Sequence, residues 1–273
     1  MKVAVLHPGA MGITVAQALV ANDHEVVWVR AGRSDATAER AKNLTALESL
    51  ADLAQWAEVV ISVCPPESAL SLAEDVIAAG YKGLYVDANA VSPDTARDIQ
   101  QCVGAQLVDG GIVGPPALQE GTTRLYLSGS RAAEVAVLFQ GSVVDARVVG
   151  QEVGQASALK MAYAAYTKGS GALLLAVNAL AEAAGVAEAL YEEWDISQPN
   201  LPTRSQGTAA GTGPKAWRFV GEMEEIAATF ESYDLPGDFH KGAAEIYQRM
   251  ASLKGHEAPD LEAVLALLTQ RRD

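Results

Sequence analysis

Short β-branched runs alternate with Ala-rich, helix-forming stretches through the first 150 residues. Lys2–Leu6 (KVAVL), Glu25–Val29 (EVVWV), Val59–Val63 (VVISV), Gly83–Asp87 (GLYVD), Gln106–Asp109, Arg124–Ser128 (RLYLS) and Ala146–Val149 read as strands. Between them the spacing predicts helices to about Ala21, near Asp35–Lys42 and Leu47–Ala57, and over Pro66–Ala79 and Pro93–Gln101. Ser92 and Pro93 open the last of these as N-cap and first-turn residue. Strand and helix in regular alternation imply a parallel sheet with crossover helices. After residue 150 the pattern holds no strand. A Pro-free, Ala/Leu-rich stretch from Ala156 to about Gly185 predicts one helix of about 40–45 Å, with Gly169 and Gly171 as points where it would kink. Helical segments follow at Ala187–Trp194, Trp217–Tyr233, Phe239–Leu253 and Leu261–Arg271, and Thr203–Gly213 (TRSQGTAAGTG) reads as a mobile connection. The expected organisation is an α/β domain over residues 1–150 and an all-α domain over residues 151–273, with the boundary near Val149–Gln155.

Composition narrows the field. The chain has 273 residues, 49% of them apolar and 20% charged, which is the make-up of a core-building protein and not of a disordered one. A net charge of −14 argues against nucleic acid or an anionic membrane surface as a partner. No apolar run reaches the roughly 18–20 residues of a membrane span, and the apolar stretch before Pro8 is too short for a secretory leader. Cys64 and Cys102 stand in unrelated contexts, and His240 and His256 lack metal-ligand spacing. Neither a disulfide framework nor a metal site is expected, and a reduced, cytoplasmic location fits.

The first turn carries the strongest chemical signal. The strand KVAVL runs into His7-Pro8-Gly9-Ala10-Met11-Gly12 and then a helix, the position of the G-x-G-x-x-G turn of a dinucleotide-binding, Rossmann-type fold, with His7 in place of the first glycine. Gly9 would let the backbone approach a pyrophosphate, Gly12 would let the helix pack on the sheet, and the helix N-terminus would supply N–H groups. At the end of the second strand, where an NAD enzyme carries Asp or Glu for the ribose 2′-hydroxyl, the chain has Arg30-Ala31-Gly32-Arg33-Ser34. Two guanidiniums and a hydroxyl suit a 2′-phosphate, so NADP(H) is the expected cofactor.

These residues resemble the β-hydroxyacid dehydrogenases, related to 3-hydroxyisobutyrate and 6-phosphogluconate dehydrogenases, in a branch with a distinct C-terminal helical domain. His7–Gly12 matches the family's G-L-G-x-M-G. Val86–Pro93 (VDANAVSP) stands for its V-D-x-S-T-x-S-P, Asp109–Pro115 (DGGIVGP) for its D-A-P-V-S-G-G, and Gly154–Ala164 for its Gly-rich start and K-x-x-N-N. The resemblance implies hydride transfer at a cleft between the two domains, with Lys160 as the catalytic general acid and base. The residues expected against the cofactor are Pro8–Gly12, Arg30, Arg33, Ser34, Cys64, Pro65 and Asn89, and those expected against the substrate are Asn89, Val113, Gly114, Pro115 and Thr167. The chain also departs from the pattern. Asn89 and Val113 replace serines, Tyr163 and Ala164 replace the two asparagines, and Gly221–Ile226 (GEMEEI) is acidic where the family carries Lys-Asp.

On a straight helix Lys160, Thr167, Gly171 and Asn178 fall within about 20° of one direction, and Tyr163 lies about 60° away. A partly desolvated Lys would protonate the alkoxide left by carbonyl reduction, or deprotonate an alcohol in reverse. Tyr163 is the second catalytic candidate. The expected activity is NADP-dependent oxidoreduction of a small carbonyl or alcohol by a homodimer. Two alternatives stand beside it. One is reduction of a C=N bond, for which the acidic Glu222, Glu224 and Glu225 would suit a cationic iminium. The other is a non-catalytic NADP-sensing or partner-binding protein.

Overall fold

The computed structural model describes residues 1–270. It separates into two compact units, Met1–Met161 and a second that begins at Ala162. The first contains an eight-stranded sheet: β1 (Lys2–Leu6), β2 (Glu25–Val29), β3 (Thr45–Leu47), β4 (Val59–Ser62), β5 (Leu84–Asp87), β6 (Leu107–Val113), β7 (Thr123–Ser128) and β8 (Val144–Gly150). The strand order is β3-β2-β1-β4-β5-β6-β7-β8. All pairs are parallel except β6–β7. The connecting helices are α1 (Gly12–Ala21), α2 (Asp35–Arg40), α3 (Leu50–Trp56), α4 (Ala69–Ala78), α5 (Pro93–Val103) and α6 (Ala132–Leu138).

The central strands are buried along their length because helices cover both faces of the sheet. Period-two alternation sorts their side chains into two layers. Val3, Val5, Val59, Ile61 and Val86 pack with Val15 and Leu19 of α1 and Val135 of α6. Ala4, Leu6, Val60 and Tyr85 pack on the opposite face with Leu53 of α3, Ala73 and Val76 of α4, and Ile99 of α5. Each Val, Leu or Ile side chain among them contributes about 1.5–3 kcal/mol by leaving water. Ser92 caps α5, its Oγ accepting from the Thr95 N–H at 3.1 Å, and Pro93 fills the first turn as its sequence position implies.

The second unit is helical. Helix α7 (Gln155–Ala183) is one uninterrupted run of 29 residues that starts in the first unit. Then come α8 (Ala187–Ser197), α9 (Leu201–Thr212), α10 (Ala216–Ser232), α11 (Asp238–Arg249) and α12 (Leu261–Thr269). The expected end of the last helix at Arg271 lies outside the described residues. Gly169 and Gly171 are places of close approach within continuous α7. A Cβ on Gly169 would meet the Phe239 ring at 3.1 Å, and one on Gly171 the Tyr247 hydroxyl at 3.3 Å.

Several local expectations are corrected. Thr203–Gly213 is not a mobile connection but most of α9: Ser205 and Ala209 are buried, and Ser205 Oγ accepts from Asn178 Nδ2 of α7 at 3.0 Å. Its small residues, read as loop formers, serve helix packing. Strand β3 replaces the start of the helix expected at Leu47, and three largely exposed residues leave no apolar run to detect it by. Strand β6 continues through Gly110-Gly111 to Val113, where the glycines suggest an end at Asp109. Helix α6 lies between β7 and β8, where the pattern signals none, and it supplies the crossover their parallel pairing needs. Among the described residues no helix is long and apolar enough to cross a membrane.

Candidate active site

In this topology β1 and β4 are neighbours whose following connections lead to opposite sides of the sheet. Ligands of such sheets sit at that switch point, beyond the carboxyl ends of the strands. The chain puts His7–Gly12 there after β1, Arg30–Ser34 after β2, Val63–Pro66 after β4, Ala88-Asn89 after β5 and Gly114-Pro115 after β6.

The turn after β1 is tied on both sides. The His7 N–H donates to Val63 O at 3.1 Å, and the Gly9 N–H donates to His7 O at 2.8 Å. A Cβ on Gly12 would lie 2.1 Å from His7 O, so only glycine lets α1 start this close to the strand. A Cβ on Gly9 would meet no atom within 4 Å. The backbone there faces open space, the room a pyrophosphate occupies against a helix N-terminus. The turn therefore fits a dinucleotide. Pro8 is buried, Ala10 is exposed and Met11 is half-buried.

Arg30 and Arg33 are exposed on the loop after β2. Ser34 has another task. Its Oγ accepts from the Thr37 N–H at 3.3 Å and caps α2, so the proposed phosphate ligand is already an N-cap. The Arg33 charge acts on His7 and Cys64 alike. Burial first, and then Arg33, pulls the His7 imidazole down to about 4, and its Nδ1 is shut from solvent without a hydrogen-bond partner. Burial pushes the Cys64 thiol up to about 12, which leaves no thiolate at neutral pH.

The Asn89 side chain, expected against cofactor and substrate, forms an internal tie. It is 2% exposed. Its Oδ1 accepts from the Cys64 N–H at 2.6 Å, and its Nδ2 donates to Ser62 Oγ at 2.9 Å and to Asp87 Oδ1. The amide locks the ends of β4 and β5 together and has no donor left for cofactor or substrate. Val113 is likewise 3% exposed, inside β6 opposite Arg124, while Gly114 and Pro115 form the exposed turn beyond it. The positive φ of 122° at Gly114, and a Cβ that would stand 2.2 Å from Thr122 O, require glycine there.

Lys160 is half-buried on α7, and its position is set by two features of β6. Gly111 lets the helix approach: a Cβ there would lie 2.8 Å from Lys160 Cβ and 3.0 Å from Ala156 O. Asp109, wholly buried, holds the helix start. Its Oδ2 accepts from the Gly154, Ala156 and Ser157 N–H groups at 2.9, 3.0 and 3.1 Å and from Ser128 Oγ at 2.8 Å. Its Oδ1 accepts from Ser157 Oγ at 2.6 Å. A carboxylate is what an α-helix start favours, for its open N–H groups and its dipole. Sequence reasoning missed Asp109 and Ser157 as the groups that hold the start of α7. The available signal was one Asp ending an apolar strand before Gly-Gly.

Tyr163 and Thr167 belong to the second unit. Tyr163 is 48% exposed. The Thr167 hydroxyl donates to Tyr163 O at 3.1 Å, which commits its proton to its own helix. In the acidic segment, Glu222 pairs with Lys168 at 2.7 Å, both side chains 14% exposed. Lys168 also stands over the Phe219 ring at 5.0 Å. Glu222 is therefore neutralised within the helical unit, which removes it from the set of carboxylates expected to face a cation.

With this geometry in place, comparison with known proteins is decisive at family level. The model of the NAD binding domain of 6-phosphogluconate dehydrogenase matches residues 2–139, about half the chain. The chain belongs to this NAD-binding family. Residues 181–250 match a second model, a domain of unknown function, DUF1932. The uncharacterized 28.5 kDa protein in the 7S RNA 5′ region of Methanothermus fervidus is 32% identical over 195 residues, 70% of this chain and 75% of that protein. The solved structure of MTH1747, a conserved protein of unknown function described as similar to 3-hydroxyacid dehydrogenases, is 29% identical. Its TM-score is 0.69, over 93% of this chain and 98% of that one. The 3-hydroxyisobutyrate dehydrogenase of Mycobacterium tuberculosis shares the fold at TM-score 0.71 and 17% identity, over 98% of this chain and 99% of that one. The resemblance read from the motifs and the α/β-then-helical fold class are both borne out.

Proposed function

We propose that the chain is an NADP-dependent oxidoreductase acting on a small carbonyl or alcohol of the hydroxyacid type, with Lys160 as general acid and base. The observation that carries the reading is the anchoring of Lys160. Asp109 and Gly111 fix its helical turn against β6, on the sheet whose carboxyl edge bears the dinucleotide turn. A bound nicotinamide would supply or accept the hydride. The chain's part is to hold the dinucleotide on the Gly9–Gly12 turn, to meet the 2′-phosphate with Arg30 and Arg33, and to move a proton at Lys160 Nζ. Tyr163, three residues on, is the reserve proton carrier.

The test is NADPH oxidation with a panel of aldehydes, 2- and 3-oxoacids and cyclic imines. The imines separate C=O from C=N reduction, and turnover on no member would support the non-catalytic reading. On a confirmed substrate Lys160→Ala should lower kcat by about 10²–10⁴, the usual worth of one acid–base group. NADPH affinity should stay unchanged, and Lys160→Arg should not rescue, because guanidinium releases no proton near neutral pH. Near-full activity of Lys160→Ala would refute the assignment.

We also infer a two-fold dimer. What supports it is an apolar stripe on α7, where Tyr163, Tyr166, Leu173 and Leu180 are 48, 71, 50 and 69% exposed at three- and seven-residue spacings.

A further inference from the structure

We infer that Thr14 is a positioning residue that couples two ligand-facing segments of the α/β unit. Its hydroxyl fastens the loop after β6, expected against the substrate, to the turn after β1, expected against the dinucleotide. Through this link a filled turn firms the loop that meets the substrate. The inference rests on the reading above, that the turn holds NADP(H).

The tie is visible at both ends. Thr14 stands in the first turn of α1 and is 3% exposed. Its Oγ1 accepts from the Ala117 N–H at 3.0 Å, across 103 positions of sequence. An N–H can only donate, so the hydroxyl proton is free for another acceptor, and it goes to Met11 O at 2.9 Å. Met11 lies between Gly9 and Gly12, in the backbone that a pyrophosphate approaches in a dinucleotide fold. One hydroxyl therefore joins turn to loop, and hydrogen bonds chained in this way strengthen one another.

The loop depends on this anchor. Among residues 114–122 the buried one is Ala117, which packs in the apolar cluster that holds Val15 and Ala18 of α1. Gly114 and Pro115 are exposed. The rings of Pro115 and Pro116 fix φ at both positions, so the placement of Ala117 is carried back stiffly toward Gly114. The same short arm is held from β7 by Thr123 Oγ1, which donates to Pro115 O at 2.7 Å. Valine in place of Thr14 would keep the branched shape and leave the buried Ala117 N–H without this acceptor, which is the costly way to lose a hydrogen bond.

The experiment is amide hydrogen exchange of the full chain, without ligand and with saturating NADPH, no substrate being present. It compares the unaltered protein with Thr14→Val and Thr14→Ser. NADPH should slow exchange over residues 114–122 of the unaltered protein by about tenfold, the worth of one buried hydrogen bond. Thr14→Ser keeps the hydroxyl and should keep most of that slowing, whereas Thr14→Val should lose it. Exchange in β1 and β4 reports that each variant is folded, and Thr14→Ala takes the place of a Val variant that is not. On a confirmed substrate Thr14→Val should raise KM about tenfold with kcat within about threefold, the pattern of lost substrate positioning, and Thr14→Ser should restore KM. Equal slowing in Thr14→Val and the unaltered protein, or no slowing in the unaltered protein, would overturn the inference while leaving the NADP reading intact. A KM raised as far in Thr14→Ser as in Thr14→Val would overturn it too. Failure of the unaltered protein to bind NADPH would remove the NADP reading, and this inference with it.

Discussion

Asp109 is where fold and chemistry are joined most directly, and its removal has a calculable consequence. Asp109→Ala deletes the acceptor of three N–H groups at the start of α7 and of two serine hydroxyls, all buried. Hydrogen bonds to a charged group contribute about 1.5–3 kcal/mol each, but these five share one carboxylate and are not additive. A loss of about 3–5 kcal/mol is the reasonable sum, at the upper end of single-site effects. At about 2–4 °C per kcal/mol for a chain of this size, the midpoint of thermal unfolding should fall by about 6–20 °C. Asp109→Asn keeps one oxygen for the helix N–H groups and gives up the charge, so it should lose about 1–2 kcal/mol. The readouts are differential scanning calorimetry and, on a confirmed substrate, kcat against NADPH affinity. If Asp109 positions Lys160, kcat falls at least tenfold in the Asn variant while NADPH affinity stays within about threefold, since the β1 turn is untouched. A midpoint within about 2 °C of the unaltered protein for Asp109→Ala, with full kcat, would refute the reasoning.

Three further outcomes are expected. Replacing Arg30 and Arg33 together by Ala should abolish a preference for NADPH over NADH of at least tenfold, as read from equilibrium fluorescence titration, and equal affinities in the unaltered protein would contradict the assignment. Light scattering at micromolar concentration should give a dimer mass, and Leu173→Glu with Leu180→Glu on the α7 stripe should give a monomer. His7 adds a pH dependence to stability. Its folded pKa of about 4 lies below its unfolded value near 6.5, so the unfolded chain binds the extra proton. Stability from this group is complete above pH 6.5 and is lost as pH falls toward 4. Urea unfolding of His7→Gly should therefore be less acid-sensitive over that window, by about 1–3 kcal/mol, and identical pH profiles would contradict it.

The sequence by itself determined the alternation of strand and helix, the Ser92 cap, and the chemistry of the first turn. KVAVL, VVISV and GLYVD are buried on both sides, and such strands announce themselves as continuous apolar runs. The Gly12 requirement was legible because a strand–turn–helix of that length brings the helix start against the strand end whatever the rest of the chain does. Ser92-Pro93 was legible for the same local reason. Lys160 stood out through its motif and its apolar neighbours. Tertiary structure decided what depends on partners far along the chain. Asn89 has the side chain of a substrate contact, and only the meeting of β4 and β5 turns it inward onto Ser62 and Asp87. Gly110-Gly111 has the composition of a loop, and only the approach of α7 shows why a strand carries glycine there. Glu222 reads as part of an anionic face until Lys168, 54 positions earlier, neutralises it. Thr203–Gly213 reads as a linker until burial of Ser205 and Ala209 makes small side chains an asset. Local preference is written in neighbouring residues. Whether a polar group is spent inside the protein or left for a ligand is written only in the contacts that folding creates.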